Sequence, residues 1–278
     1  MDDTTRARRA ATFDQDPDNY HLGRPGYPPR IYQLLARRCG LRPGTRVLEI
    51  GPGTGQATAV LLARGARVVA VEPGPALCAR LRREHPTNKL TIIEADLATV
   101  ALPAGGFDLA VAATSLHWLD PATAIPKIAA AVHPGGWLAA WWTVFGDPDH
   151  PPPWRRDLDR LYTRHLPHEL DPPGHTPAPL RTAQRSADIT TGGCFGPVHT
   201  DTTAWEHRLD PAGARRLFAT FPNIHTAPPP TRQAFLDDLG TLVAAQPGGI
   251  VTDRYLSILY LAPRTTRPAT DTTGTNRA

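Results

Sequence analysis

Short runs of apolar residues alternate with amphipathic segments from residue 46 onward. Each run is too short for a core helix and is apolar at consecutive positions, which is typical of strands buried on both faces. Strands are predicted over residues 47–50, 68–71, 90–94, 107–113 and 136–144. Helices are predicted between them, over 56–64, over 75–85, and from Asp120-Pro121 to about His133. This alternation predicts an α/β fold with a doubly wound, mostly parallel sheet.

The pattern breaks over residues 146–180, where nine prolines leave room for one helix, at about 154–166. We therefore predict an inserted lid over 146–200, after an N-terminal helical cap over 1–40 and a core over 41–145. Strand patterns return at 202–208 and 255–262, with two helices between them, one opened by Asp210-Pro211 and one over 231–246. Residues 201–264 are predicted to complete the sheet, and the polar residues 265–278 to be disordered.

Composition narrows the class of protein. A chain of 278 residues with 41% hydrophobic residues can bury one sizeable core. The net charge is +4 and the basic residues are scattered, so no nucleic-acid partner is predicted. Cys39, Cys78 and Cys194 lie far apart, which favours neither a metal site nor a disulfide framework. Neither a signal-peptide pattern nor an apolar run of about 18 residues occurs, so we expect a cytoplasmic protein without membrane partners.

The most informative segment joins the first predicted strand to the next helix and reads Glu49-Ile50-Gly51-Pro52-Gly53-Thr54-Gly55. A strand that runs into Gly-x-Gly-x-Gly and then a helix makes a tight turn whose backbone approaches a ligand closely. A dinucleotide fingerprint, Gly-x-Gly-x-x-Gly, would place the third glycine one position later than Gly55. The spacing therefore argues against a nicotinamide- or flavin-dependent oxidoreductase, which is the first alternative function.

Two carboxylates follow at the ends of the next two strands. Glu72 ends the second strand, where a carboxylate lies beside the glycine loop and accepts hydrogen bonds from both hydroxyls of a ribose. Asp96 follows the third strand, where it is placed to accept the exocyclic amine of an adenine while Leu97 packs on the ring. Asp96 alone is explained as well by a helix cap, whereas a helix-start acid does not explain why Glu72 stands at the end of an otherwise apolar strand. Together with the glycines, they favour an adenosyl ligand.

These motifs resemble those of class I methyltransferases that depend on S-adenosylmethionine (SAM). The resemblance implies SAM as the cofactor, a small molecule as the methyl acceptor, and a seven-stranded sheet with an antiparallel last strand. Arg24-Pro25-Gly26-Tyr27-Pro28 and residues 115–120 are similar to segments of the branch that includes trans-aconitate methyltransferases. The cofactor-binding residues predicted with it are Arg24, Glu49, Gly51, Pro52, Gly53, Thr54, Gly55, Glu72, Pro73, Asp96, Leu97, Thr114 and Ser115.

Methyl transfer from a sulfonium requires the acceptor atom in line with the departing sulfur, about 3 Å from the methyl carbon. His117 follows the fourth strand and is the candidate general base, because histidine titrates near neutral pH. A positioning or adenine-side role for His117 is the alternative. The resemblance places Tyr27 at the methyl-transfer site. The predicted substrate contacts are Tyr20, Trp118, Trp142 and Trp154.

Two other readings bear on the acceptor and on the activity. Asp171-Pro172-Pro173-Gly174 resembles a motif of methyltransferases that act on amino groups of bases, but that motif follows the fourth strand and ends in an aromatic residue. Nucleobase methylation is therefore not predicted. A SAM-binding protein that has lost transfer, and serves as a scaffold or a non-methylating catalyst, would carry the same binding motifs. The identity of the acceptor and the oligomeric state are left open.

Overall fold

The computed structural model describes residues 12–169 and 175–266. At its centre lies a sheet of seven strands. The strands are β1 (Arg46–Ile50), β2 (Arg67–Glu72), β3 (Leu90–Glu94), β4 (Phe107–Ala113), β5 (Val132–Val144), β6 (His199–Leu209) and β7 (Val251–Pro263). Their order across the sheet is β3-β2-β1-β4-β5-β7-β6.

Strands β1 to β5 are parallel, and β7 lies antiparallel between β5 and β6. Ile50 pairs with Val71, and Glu72 pairs with Glu94, so β1, β2 and β3 end side by side. The doubly wound sheet with an antiparallel last strand is confirmed. Because parallel strands share one carboxyl edge, the loops that carry the predicted site residues meet there.

Strands β5, β6 and β7 are longer than predicted. β5 begins at Val132, directly after the preceding helix, and includes Pro134 and Gly135, where the sequence pattern placed the end of that helix. β6 is an edge strand whose residues alternate between exposed and half-buried until Leu209. An edge strand with one covered face lacks the continuous apolar run that marks a central strand, so its ends are hard to predict.

Ten α-helices occur in the described residues. They are α1 (Pro17–Gly23), α2 (Pro29–Cys39), α3 (Gln56–Ala63), α4 (Pro75–Glu84), α5 (Pro121–Ala131), α6 (Trp154–His165), α7 (Thr182–Thr190), α8 (Pro211–Ala219), α9 (Pro222–His225) and α10 (Pro229–Ala244). Helices α1, α7 and α9 were not predicted. Ile189 is the one fully buried residue of α7, so the sequence lacks the stripe of apolar residues from which a helix is predicted.

Apolar side chains cover both faces of the sheet. Trp141 and Trp142 are neighbours on β5 and point to opposite faces, Trp141 to the cluster around α2 and Trp142 to the cluster around α5. A third cluster joins α6 to α8 and α10 and contains Trp154, Phe218 and Phe235. The segment predicted as one lid therefore packs as two parts, because α6 joins this third cluster and α7 packs on α5.

Two of the sequence predictions fall on residues outside the described part of the chain. The predicted disordered tail is described only at residues 265 and 266, and the Asp171-Pro172-Pro173-Gly174 segment not at all. Within the described ranges, each helix is either too short or too polar to cross a membrane.

Candidate active site

A cavity of about 1040 Å³ lies at the carboxyl ends of β1, β2, β3 and β4. Residues of the N-terminal segment and of α7 form the walls opposite the sheet. Most of the predicted site residues line this cavity. They are Tyr20, Arg24, Tyr27, Gly51, Pro52, Gly53, Glu72, Pro73, Asp96, Leu97, Thr114, Ser115, His117, Trp118 and Trp142.

The loop after β1 brings backbone rather than side chains to the cavity. Gly51 has a φ of 61° and Gly53 a φ of 58°, in the left-handed region that glycine adopts readily. A Cβ atom on Gly51 would lie 2.7 Å from Cβ of Ser115, so only glycine lets the loops after β1 and β4 approach this closely. The Ser115 hydroxyl donates to the Ile50 carbonyl and ties the two loops together.

Two backbone N–H groups hold the carboxylate of Glu72 at the end of β2. Gly53 N donates to Oε2 and Gly74 N donates to Oε1, each at 3.0 Å. Burial raises the pKa of Glu72, and the two backbone hydrogen bonds act in the opposite direction. Each carboxylate oxygen has two acceptor positions, so each retains one for a further donor. A pair of ribose hydroxyls matches that arrangement.

The loop after β3 forms the next part of the wall. Asp96 is exposed and lines the cavity, and its Oδ1 accepts the backbone N–H of Ala98 at 2.7 Å, which shapes the turn. Leu97 is buried beside it. Lys127 Nζ donates to the Ala98 carbonyl at 2.6 Å and ties this loop to α5. A carboxylate and an apolar side chain thus lie together, as an adenine site requires.

The guanidinium of Arg24 lies among aromatic rings at the opposite wall. Its Cζ is 4.9 Å from the ring centroids of both Phe145 and Phe221 and 5.5 Å from that of Tyr20. Its Nη2 donates to the Thr220 carbonyl at 3.1 Å, whereas the buried Nε donates to no described residue. Burial lowers the pKa of Arg24. This half-buried cation has hydrogen-bonding capacity left for an anionic ligand.

Tyr27 and Thr114 meet in the wall of the cavity. The Tyr27 hydroxyl and Thr114 Oγ1 are 3.1 Å apart, and the Tyr27 ring packs edge-on against Trp141. Thr114 has a φ of 58°, which is strained for a β-branched residue, and it is the one non-glycine residue of the described chain with a positive φ. Burial raises the pKa of Tyr27, so its phenol is neutral at physiological pH.

His117 and Trp142 are joined by a hydrogen bond. The indole Nε1–H of Trp142 donates to His117 Nδ1 at 2.9 Å. An indole N–H only donates, so Nδ1 must be the acceptor and the neutral imidazole carries its hydrogen on Nε2. A general base would need its free lone pair on the nitrogen that faces the substrate. The observed bond uses the lone pair of Nδ1, so the geometry favours His117 as a hydrogen-bond donor.

Four predicted site residues do not line the cavity. Glu49 is fully buried behind the glycine loop, where its Oε2 accepts the hydroxyl of Thr58 at 2.7 Å. Thr54 is buried and bonds to Gln56. All four residues pack against other parts of the protein rather than against the cavity. The four are Glu49, Thr54, Gly55 and Trp154.

Gly55 and Trp154 are the other two predicted site residues that do not line the cavity. Gly55 is the N-cap of α3, and a Cβ atom there would lie 2.6 Å from the Leu81 side chain, so the glycine serves helix packing. Trp154 was predicted to contact substrate, but it is 4% exposed and packs in the helical cluster with Phe235. The sequence pattern around Trp154 did not show which neighbours its helix would meet, and the tertiary contacts correct the prediction.

The buried carboxyl of Glu49 makes stability depend on pH. Burial raises its pKa from 4.5 to about 7. Between these pH values the unfolded chain ionises at Glu49 while the folded protein keeps the proton, so the free energy of unfolding falls as pH rises. Above about pH 7 the loss of unfolding free energy caused by the raised pKa of Glu49 is constant, and below about pH 4.5 this loss vanishes.

We expect Glu49→Gln to be more stable than the native protein at pH 8 by about 1–3 kcal/mol, since each pKa unit is worth about 1.4 kcal/mol. The difference should shrink steadily as pH falls from about 7 to 4.5. Urea unfolding of both proteins across this range measures it. A difference that does not change with pH would show that Glu49 is ionised in the folded state throughout.

Several residues of the cavity were not predicted. Phe13 packs edge-on against Tyr20 and Trp118, and Asp14 Oδ1 accepts the backbone N–H of Leu77 at 2.9 Å, so the segment before α1 covers the cavity. Arg185 of α7 contributes a second guanidinium to the wall. The sequence carried no signal for these residues, because they reach the site from segments without a strand or a motif.

Comparison with known proteins identifies the family. Residues 48–140 match the model of the methyltransferase domain. The chain is 30% identical over 243 residues to an uncharacterized methyltransferase of Mycobacterium bovis, a match that covers 87% of this chain and 90% of that protein. A relative of this identity and coverage shows that the chain belongs to the methyltransferase family.

Solved structures show the same fold. A protein from Anaeromyxobacter dehalogenans, assigned as a type II methyltransferase, has a TM-score of 0.62 and 22% identity, covering 88% of this chain and 99% of that one. Phosphoethanolamine N-methyltransferase 2 of Haemonchus contortus, solved with SAM, has a TM-score of 0.51 and 14% identity, covering 91% of this chain and 57% of that one. At these identities the likeness is one of fold alone.

The fold, the cavity and the family together define a class I SAM-dependent methyltransferase, and SAM is its cofactor. The residues present fit that cofactor. Gly53 presents backbone to the cavity, Glu72 retains acceptor capacity, and Arg24 retains a buried donor without a partner among the described residues.

Proposed function

We propose that this enzyme transfers the methyl group of SAM to a small-molecule acceptor by in-line displacement within the cavity. The observation that carries the proposal is one continuous cavity that reaches from Glu72 and Asp96 at the sheet edge to His117 and Trp142. Its volume of about 1040 Å³ is at the upper end of the range of roughly 300–1,000 Å³ for small-molecule sites. Cofactor and a modest acceptor fit side by side, whereas a folded macromolecule does not.

In this proposal the adenosyl group lies across the ends of β1, β2 and β3. Glu72 accepts the ribose hydroxyls, Asp96 accepts the adenine amine, and Leu97 packs on the adenine ring. Gly51 and Gly53 let the backbone approach the cofactor. Support comes from the register of the three strands, which sets Ile50 beside Val71 and Glu72 beside Glu94.

Arg24 binds the carboxylate of the methionyl part. Its cation is half-buried among rings and has an unused buried donor, and such a group gains most from an ionised partner. Tyr27 and Thr114 then lie between the two ends of the cofactor site, where the methyl group would be presented. The strained backbone of Thr114 supports a functional role, because strain is concentrated at ligand sites.

The proposed role of Arg24 is tested by comparing a ligand that has a carboxylate with one that lacks it. Arg24→Gln should weaken binding of S-adenosylhomocysteine by about 10- to 100-fold, because a hydrogen bond to a charged group is worth about 1.5–3 kcal/mol. Binding of 5′-methylthioadenosine, which has no carboxylate, should change by less than about threefold. Calorimetry with both ligands measures this, with Arg30→Gln on the exposed start of α2 as control. Equal losses for the two ligands would remove Arg24 from the carboxylate site.

SAM supplies a methyl group that is already activated, so the protein positions the acceptor and excludes water. The acceptor atom uses its lone pair to form the new bond to carbon as the carbon–sulfur bond breaks, and that bonding pair stays on sulfur. The neutral phenol of Tyr27 orients the acceptor as a hydrogen-bond donor, and His117, whose Nδ1 accepts the indole N–H of Trp142, helps to form the wall beside the acceptor. Neither group removes a proton from the acceptor in this arrangement. The site therefore suits an acceptor atom that is already unprotonated at neutral pH.

The activity is tested by release of S-adenosylhomocysteine from SAM with the full chain and a panel of small carboxylates, phenols and amines. A folded RNA and a denatured protein are assayed in parallel. We expect release with at least one class of small molecule, and a product heavier by one methyl group. Release only with the macromolecules would overturn the small-molecule assignment. SAM binding without release on any acceptor would favour the scaffold alternative. The trans-aconitate branch and the cytoplasmic location stay predictions.

A further inference from the structure

A row of hydroxyl side chains crosses strands β5, β7 and β6 beside the cavity. Thr143 on β5 pairs with Ser257 on β7, and Ser257 pairs with Thr203 on β6. Thr143 is 8% exposed and Ser257 is 1% exposed, and the residues on either side of both along their strands are apolar. A buried hydroxyl is costly unless it is hydrogen-bonded, so each hydrogen in this row needs an acceptor.

Trp205 sets the direction of the hydrogen bonds in this row. Its indole Nε1–H donates to Ser257 Oγ at 2.9 Å, and an indole nitrogen only donates. Ser257 Oγ in turn lies 3.2 Å from Thr143 Oγ1, in a bond that either hydroxyl can donate. Among these three residues, Thr143 is the one that lines the cavity.

The two possible directions of the bond between Ser257 and Thr143 differ in which hydrogen is left over. If Thr143 donated, the hydrogen of Ser257 would have no acceptor among the described residues, in a side chain that is withdrawn from solvent. If Ser257 donates, the hydrogen of Thr143 is left over at the cavity, where a ligand can accept it. The second direction is favoured, because a buried donor without an acceptor costs about 1–3 kcal/mol.

Thr143 lies beneath the N-terminal segment that reaches the cavity. Side chains alternate along a strand, so Trp141 and Thr143 share one face of β5. The Tyr27 ring packs edge-on against Trp141, with ring centroids 5.6 Å apart. The Cζ of Arg24 lies 4.9 Å from the ring centroid of Phe145, which follows β5 directly. Thr143 therefore stands between the contacts that Tyr27 and Arg24 make with this part of the chain.

We propose that the Thr143 hydroxyl donates a hydrogen bond to the methionyl carboxylate of the cofactor, beside Arg24, and that Trp205 holds it in the donating orientation through Ser257. Thr143 is then a further cofactor-binding residue, and Trp205 is a positioning residue on the edge strand. The inference rests on the proposed placement of the carboxylate at Arg24. A carboxylate has about four acceptor positions, so it takes a second donor besides the guanidinium. A hydroxyl whose direction is already fixed loses little entropy on binding.

The test compares S-adenosylhomocysteine with 5′-methylthioadenosine, which has no carboxylate. Thr143→Val removes the hydroxyl and keeps the shape of the side chain. It should weaken binding of S-adenosylhomocysteine about tenfold, whereas binding of 5′-methylthioadenosine should change by less than about twofold. Thr143→Ser keeps a hydroxyl and should restore most of the affinity. Calorimetric titration of the full chain with each ligand measures these effects.

Trp205→Phe tests the positioning role, because it removes the N–H and keeps an aromatic ring against Tyr255. Ser257 and Thr143 can then exchange donor and acceptor, so affinity for S-adenosylhomocysteine should fall about two- to fourfold while 5′-methylthioadenosine binds as before. A purely structural role would weaken both ligands equally. Thr203→Val is the matched control, since its hydroxyl belongs to the same row but donates to Asp201 and does not line the cavity. It should bind both ligands as the native protein does.

Native affinity for S-adenosylhomocysteine in folded Thr143→Val, or equal losses for the two ligands, would overturn the role of Thr143. Native affinity in Trp205→Phe would overturn the role of Trp205. If Thr143→Val fails to fold, Thr143→Ala carries the same comparison. Arg24→Gln separates this inference from the proposed function. If Arg24→Gln alone distinguishes the two ligands, the carboxylate placement stands and the inference fails. If neither variant distinguishes them, the carboxylate placement itself fails.

Discussion

Replacing Glu72 with alanine is expected to weaken SAM binding by about 10- to 100-fold, because a hydrogen bond to a charged group is worth about 1.5–3 kcal/mol. The carboxylate also accepts the N–H groups of Gly53 and Gly74, so the variant loses two ties within the loops that hold the cofactor. Glu72→Gln keeps one acceptor oxygen and should fall between the two proteins. Calorimetric titration with SAM on the folded variants measures the effect.

The register of the sheet provides the control for Glu72. Glu94 is its cross-strand partner on β3, is exposed, and pairs with Arg82 at 3.5 Å outside the cavity. Glu94→Ala should therefore bind SAM as the native protein does. If Glu72→Ala is folded and retains native affinity, the carboxylate is not part of the cofactor site, and the placement of the ribose must be abandoned.

Gly51→Ala is expected to lower the free energy of unfolding by about 2–5 kcal/mol and to abolish SAM binding. A left-handed conformation costs a residue with a Cβ atom about 1–2 kcal/mol, and overpacking adds about 1–3 kcal/mol. The new methyl group would lie 2.7 Å from Cβ of Ser115, in a contact that neither backbone can relieve without moving the loops after β1 and β4. Urea unfolding and calorimetry on the same preparations measure the two effects.

Two further variants separate strain from crowding. Gly40 has a φ of 69° and open space where a Cβ atom would lie, so Gly40→Ala should lose only the left-handed cost of about 1–2 kcal/mol. Ser115→Gly in the Gly51→Ala background removes the crowded atom and should restore part of the stability. A loss for Gly51→Ala no greater than that for Gly40→Ala would show that contact with Ser115 is unimportant.

The strands of the sheet and the site along its edge were predictable for a physical reason. A parallel strand is buried on both faces, so its residues are apolar at consecutive positions and mark it within a short stretch of sequence. The glycines of the β1 loop were predictable because a tight turn requires them. Glu72 was predictable because the carboxyl ends of all parallel strands lie at one edge of the sheet. Arg24 and Tyr27 were placed at the cavity through the resemblance to the methyltransferase family, and His117 through its position after the fourth strand.

The helices α1 and α7 were not predictable in the same way. Gly23 is the one fully buried residue of α1, and Ile189 that of α7, so neither helix has a stripe of apolar residues. Their formation depends on neighbours that are distant in sequence, such as α8 for α1 and α5 for α7. Arg185 was missed with its helix, and Trp154 was misplaced because α10, against which its helix packs, is distant in sequence.

The amino-acid sequence by itself determined the α/β class, the order of strands and helices along the chain, and the glycine turn at the ligand site, because strand burial and turn geometry are properties of neighbouring residues. SAM as the cofactor followed from the resemblance that these motifs carry. Only the tertiary structure decided which side chains face the cavity and in which state. The indole of Trp142 fixes the hydrogen of His117, burial shifts the pKa of Glu49 to about 7, and packing on α5 brings Arg185 to the wall. These properties arise from contacts between distant segments, whose free energies depend on distance and burial that a linear pattern does not contain.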